Sequence, residues 1–93
     1  MKSHKFLEAY LNAYAPVAQE TEGQKIWMRY ISDFVHSLHM DAYGTGYGVY
    51  RCGKENAKKV VIEAHCDEIS WIITHIEKDG YIRVRHHGGS DNM

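Results

Sequence analysis

Apolar positions recur at helical spacing through the first forty residues, and short β-type runs separated by glycines and polar turns come after them. In residues 3–14, Phe6, Leu7, Tyr10, Leu11 and Tyr14 fall on one face of a 3.6-residue period, which predicts a short amphipathic helix. Pro16 closes it, because proline lacks a backbone donor and biases the preceding residue away from helical geometry. After the link "APVAQE", Thr21-Glu22-Gly23-Gln24 fits the capping-box pattern, so a second helix begins there. Ile26, Trp27, Tyr30, Ile31, Phe34, Val35 and Leu38 carry its apolar stripe to about Met40, with Lys25, Arg29, Ser32 and Asp33 opposite. His36 and His39 then lie in its last turns, where the partial negative charge of a helix end suits an imidazolium.

Beyond Met40 the period changes. In "DAYGTGYGVYR", Gly44, Gly46 and Gly48 interleave with Tyr43, Tyr47, Val49 and Tyr50, the pattern of a strand broken by a turn or bulge. A dinucleotide fingerprint requires a strand before its glycines and a helix after them; here the order is reversed, which argues against a phosphate-cradling loop. "CGKENAKK" reads as a polar, hairpin-type connection. Val60, Val61 and Ile62 then form a run apolar on both faces, which predicts an interior strand in the middle of a sheet. "EISWIITHIE" and "YIRVRHH" read as two strands joined through Asp79-Gly80, a strong short-range hairpin signal. The expected order is two helices and then four strands, an α/β chain without internal repeats.

Composition narrows the function classes. A chain of 93 residues is one small domain by length and buries only roughly 60–65% of its unfolded surface, too little for a deep shielded cavity of its own. Eleven Lys and Arg against twelve Asp and Glu give a formal charge of -1, so no basic field attracts nucleic acid or anionic lipid. No stretch reaches the roughly 20 apolar residues of a membrane span, and the N-terminus lacks the apolar core of a signal peptide; a cytoplasmic protein is expected. Cys52 and Cys66 form no C-x-x-C pair, which predicts two reduced thiols rather than a disulfide or zinc knuckle.

The chemistry concentrates at His65-Cys66-Asp67-Glu68, between two apolar runs. An imidazole at the end of a sheet strand opens into the crevice where α/β sheets place their ligands. A ligating histidine usually donates its other ring N–H to a carboxylate, and Asp67 is close enough in sequence to serve. Seven His and five Asp in this chain give about 0.4 His-x-Asp matches by chance, so the spacing alone leaves two readings open: a metal ligand with its orienting carboxylate, or a hydrogen-bonded histidine before a solvated bend.

A longer pattern bears on that choice. The Pro16 link and "ETEGQKIWMRYI" after it, the segment "DAYGTGYGVY", the block "VVIEAHCDEISWIITHIEKDGYIRV" and the closing "GGSD" together resemble the N-terminal quarter of the family 42 metallopeptidases, the glutamyl, tetrahedral and deblocking aminopeptidases. The resemblance implies that His65 is the first ligand of a co-catalytic pair of divalent metals, zinc or cobalt, and that Asp67 orients it. It implies hydrolysis of N-terminal residues from peptide substrates, with the metals activating water and polarising the scissile carbonyl. It also implies an architecture: residues 1–67 begin an α/β/α zinc-peptidase domain, and residues 68–93 begin a small β-rich dimerisation domain. Neither Glu63 nor Glu68 takes a metal or base role from the resemblance. Ser90-Asp91-Asn92 departs from the Trp and Pro that many relatives carry after the paired glycines.

One ligand cannot assemble a catalytic zinc, which needs about three from the protein. The 93 residues alone are therefore expected to be inactive and to hold no metal stably. His86 and His87 are adjacent on a strand and face opposite ways, and His4 and His75 have no patterned partner, so no second histidine site is expected. A two-strand hairpin is marginal by itself; association of copies through open strand edges or the Trp27 and Trp71 surfaces is expected. The alternative to an aminopeptidase segment is a non-catalytic, self-associating module built on the same elements.

Overall fold

A computed structural model describes residues 2–89. Ser90-Asp91-Asn92, where the sequence departs from the aminopeptidase pattern, lies outside the described residues. Two helices come first, α1 (Ser3–Leu11) and α2 (Thr21–Ile31), and then strands β1 (Ser37–Met40), β2 (Gly46–Val49), β3 (Ser70–Ile76) and β4 (Ile82–His87). The strands form two separate antiparallel pairs, β1 with β2 and β3 with β4.

The helices meet through aromatic side chains. Phe6 of α1 stacks on Tyr30 of α2 with ring centroids 4.1 Å apart and planes 10° from parallel, and Tyr10 and Phe34 extend the row at either side. Helix α1 stops at Leu11, a turn earlier than the period suggested, because Asn12 caps it: its backbone N–H and its side-chain amide both donate to the Glu8 carbonyl. Helix α2 begins at Thr21, as expected, but the capping box does not form. Glu20 is the N-cap, and Gln24, expected to reach back, donates instead to the Gly44 carbonyl at 3.0 Å.

The second helix was expected to run to Met40; it ends at Ile31. Ser32 Oγ donates to the Arg29 carbonyl and Phe34 N–H to the Ile31 carbonyl, which closes the last turn. Residues 37–40 then pair with β2 in the register Ser37↔Val49 to Met40↔Gly46. His36 and His39 consequently leave the helix end: His36 Nδ1 accepts the Arg51 N–H at 3.0 Å, and His39 stacks on Tyr47 across the strand pair. The turn between the strands is built on Asp41, whose Oδ1 accepts the N–H groups of Tyr43 and Thr45.

A second correction concerns residues 60–64. They are extended but join no ladder, and Val60, Val61 and Ile62 are 83%, 82% and 95% exposed. A run apolar on both faces becomes an interior strand only when neighbours hydrogen-bond to its edges, and none of the described residues does so. Among the described residues the strand count of four is met by β1 in place of this run.

The β3–β4 hairpin forms where expected. Asp79 does not adopt positive φ, whereas Gly80 does at +93°, so the turn is not the two-residue type with both central residues left-handed. Gly80 N–H donates to the Glu77 carbonyl and Glu77 N–H to that of Tyr81, a three-residue loop ended by a left-handed glycine. Thr74 is the extra residue of a bulge between Ile73 and His75, and its hydroxyl donates to the Arg83 carbonyl.

The radius of gyration is 18.2 Å, against about 12 Å for a compact domain of this length. Burial is concentrated at the connection between α1 and α2. Ala15, Pro16 and Gly23 are the buried residues among those described, and a β-carbon on Gly23 would lie 3.4 Å from that of Ala15.

Candidate metal centre

The segment from Ala64 to Asp67 lies against the α1–α2 connection and the β1–β2 turn. Together with Glu20, Tyr43, Gly44 and Thr45 it lines an open cleft of ≈ 230 Å³. The next residue fixes its position. Glu68 N–H donates to the Ala15 carbonyl at 2.9 Å, Glu68 Oε1 accepts the Ala15 N–H at 3.3 Å, and Pro16 and Glu68 form a parallel bridge.

Within the cleft, His65 Nδ1 lies 3.0 Å from Asp67 Oδ1 and 3.2 Å from the Asp67 carbonyl oxygen. Both oxygens can only accept, so Nδ1 carries the proton and the bond orients the ring. In the neutral ring, Nε2 is then the nitrogen with the free lone pair. The imidazole is 85% exposed and the Asp67 side chain 35%, so the ring faces the opening rather than a hydrocarbon wall. Asp67 thus meets His65 as the sequence spacing suggested, and Glu68, given no role by the sequence, is an anchor.

Cys66 is half-buried. Burial raises its thiol above the ordinary cysteine range, and the negative charges of Glu20 and Asp67 push the same way. The Tyr10 phenol is likewise raised, first by burial and then by Cys66. Both groups are accordingly neutral at pH 7.

Three other histidines bond within their own strand pairs. His75 Nε2 lies 3.5 Å from Glu77 Oε2, Arg83 Nε donates to Glu77 Oε1, His86 Nδ1 bonds to the Gly88 carbonyl, and His39 Nε2 bonds to Ser37 Oγ. Among the described residues no three His, Cys, Asp or Glu side chains gather so as to hold a metal ion. The donor chemistry at His65 nevertheless fits one position of a divalent-metal site: a neutral imidazole held through Nδ1 by a carboxylate, with Nε2 open. Further ligands would have to come from other chain segments. No helix among the described residues is long and apolar enough to cross a membrane.

Sequence reasoning missed Glu20, Tyr43 and Thr45 as cleft residues and Glu68 as the anchor. These contacts join positions 20 to 53 residues apart, and no local pattern carries them.

Known proteins resemble this chain. The chain superposes on a TET aminopeptidase from the marine sediment archaeon Thaumarchaeota archaeon SCGC AB-539-E09 with a TM-score of 0.75 and 24% identity, covering 94% of this chain and 24% of that one. That likeness establishes the fold. A stretch of 36 residues, 39% of this chain, is 50% identical to a lysyl aminopeptidase of Pyrococcus furiosus, of which it covers 10%. The chain thus spans a quarter or less of the relatives it matches. Residues 45–93, just over half the chain and including the His65–Asp67 pair, match the M42 glutamyl aminopeptidase family model; the chain belongs to that family.

Proposed function

We propose that this chain is the N-terminal part of a metal-dependent aminopeptidase in which His65 is a metal ligand and Asp67 its orienting carboxylate. The observation that carries the reading is the 3.0 Å bond from His65 Nδ1 to Asp67 Oδ1 on a ring that is 85% exposed. In the neutral ring the bond holds Nδ1 as the donor, leaves Nε2 free to bind and raises its basicity. Two divalent metals, zinc or cobalt, would supply an activated water and a polarised scissile carbonyl at such a centre. His65 contributes one of the required ligands, so residues 1–93 alone are inactive in this reading. The substrates are peptides with a free N-terminus, and the protein works in the cytoplasm.

In this reading residues 1–67 begin the catalytic domain and residues 68–93 the β-rich dimerisation domain. The change falls at Glu68, the residue that ties the β3–β4 hairpin to the helical layer. The exposed run at Val60, Val61 and Ile62 becomes a central strand once further sheet strands flank it.

The test uses the full-length protein. His65→Ala should remove one bound metal and lower peptide hydrolysis by more than the roughly 10–100-fold that loss of an outer-sphere partner costs. A variant that keeps its metals and its turnover would overturn the assignment.

A second reading, a self-associating module without catalysis, is favoured by the apolar side chains open on the hairpin, among them Trp71, Ile73, Ile82 and Val84. Light scattering after size-exclusion separates the two properties. A concentration-dependent oligomer supports association, and a 10.7 kDa monomer at high concentration counts against it.

A further inference from the structure

Glu68 carries no role in the metal reading of the sequence, yet its contacts are the longest in reach that the described chain makes near His65. Between Arg51, whose N–H is taken by His36, and Glu68, no backbone group among the described residues bonds to another segment. The His65–Asp67 pair therefore depends on Glu68 for its attachment. Glu68 clamps Ala15 in two directions, at the place where Ala15, Pro16 and Gly23 form the buried part of the described chain. The wall facing His65 is made by Glu20, Tyr43, Gly44 and Thr45. Glu20 belongs to the link that Glu68 grips, and Gly44 is tied to α2 through Gln24.

We infer that Glu68 is a positioning residue: by accepting the Ala15 N–H it docks the extended segment that carries His65 and Asp67 onto the α1–α2 connection. The open Nε2 of His65 is thereby held at one place relative to the cleft wall. The inference rests on His65 being a metal ligand. It differs from a ligand or base role for Glu68, because it requires only the acceptor oxygen, not the negative charge. Its carboxylate already engages a backbone donor in the part-buried interior, where a missing acceptor leaves that N–H unsatisfied.

The test is a Zn²⁺ titration of the metal-free full-length protein monitored at the His65 ring resonance, which separates this histidine from the others. Glu68→Met keeps the side-chain length and removes the acceptor; it should weaken the His65-dependent apparent affinity about tenfold, the size of an outer-sphere effect. Glu68→Gln keeps an acceptor oxygen without the charge and should restore the wild-type midpoint. Glu63→Gln removes a charge at an exposed position on the same segment and should change nothing. The amide spectra of β1–β2 and β3–β4 report whether each variant stays folded. If Glu68→Met unfolds the chain, Glu68→Gln decides: wild-type affinity supports positioning and a tenfold loss overturns it. Equal losses in Met and Gln variants assign the effect to charge and overturn the inference, as does an unchanged Glu68→Met. A wild-type His65 resonance indifferent to Zn²⁺ would instead remove the ligand reading itself, and this inference with it.

Discussion

The δ-methyl of Ile31 comes within 2.9 Å of the point that a β-carbon on Gly48 would occupy, and a γ-methyl of Val35 comes equally close. Helix α2 therefore rests directly on the backbone of β2, and Gly46 and Gly48 of "GTGYG" serve that approach rather than phosphate. Gly46 serves the same purpose under Trp27, at 3.2 Å. Gly48→Ala should destabilise the chain by about 1–3 kcal/mol, the cost of overpacking against branched side chains that cannot swing aside. Gly89→Ala, with nothing within 4 Å, should stay within about 0.5 kcal/mol of wild type. Urea unfolding of the two variants, compared at equal slope, checks the difference.

The turn of the β3–β4 hairpin makes a second demand on a glycine, for a conformational reason. Gly80 sits at φ +93° with open space around it, so an added methyl meets no neighbour and only backbone strain opposes it. Gly80→Ala should cost about 1 kcal/mol, and Gly80→Asn less, because asparagine tolerates the left-handed region. Amide exchange of the β3–β4 ladder is the measurement. Faster exchange in the alanine variant than in the asparagine variant is the expected order.

What the sequence made legible was what neighbours along the chain decide. The helix beginning at Thr21, the Asp79-Gly80 turn and the His65–Asp67 pair are set within a few residues, and each stands where local chemistry placed it. Residues 37–40 were misassigned because Leu38 continues the helical stripe; what overrides it is a ladder to Gly46–Val49, and the unusual closeness that Gly46 and Gly48 permit. Val60, Val61 and Ile62 have strand composition, but a strand is a relation between segments, and the described residues provide no partner. The anchoring role of Glu68 leaves no local pattern because its partner, Ala15, stands 53 residues away. Membership in the aminopeptidase family was legible in the ordered block from Val60 to Gly89, while the cleft wall opposite His65 was not.

The two cysteines should differ in reactivity. Cys52 is exposed, whereas Cys66 is partly covered and its thiol is raised by burial and by the charges of Glu20 and Asp67. Alkylation requires the thiolate, so iodoacetamide at pH 7.5 should modify Cys52 first and Cys66 more slowly than its exposure alone dictates. Glu20→Gln removes one of the negative charges and should speed Cys66 without altering Cys52. Peptide mass spectrometry against time reads both rates, and equal rates in the wild type would contradict the arrangement.

Asp41 gives the β1–β2 turn a pH dependence of definite sign. The backbone N–H of Thr45 is the largest influence holding its carboxyl below the ordinary value of 3.8, and that of Tyr43 adds to it. The folded pKa is depressed relative to the unfolded chain, so the contribution to stability is present above the unfolded value and is lost as pH falls through the folded one. A ¹³C titration of the Asp41 carboxyl should show a midpoint below 3.8, and Asp41→Asn should remove that step from the acid unfolding profile. A midpoint at or above the ordinary value would mean that the turn is open in solution.

Asp67→Asn tests whether orientation of His65 depends on charge or on geometry alone. The amide oxygen can still accept from Nδ1, so the ring can keep its place, but a neutral acceptor forms a weaker bond and lends the imidazole less basicity. Metal affinity at His65 should fall by roughly 10–100-fold, read as a shift in the Zn²⁺ midpoint of the His65 ring signal. Cys66 offers an internal check on the same variant: it loses one of the charges that raise its thiol, so its alkylation should quicken while the metal midpoint worsens. Both changes in the expected directions confirm that the Asp67 carboxylate acts on both side chains. A quickened Cys66 with an unmoved metal midpoint would leave Asp67 as a neighbour of Cys66 and remove it from the chemistry of His65.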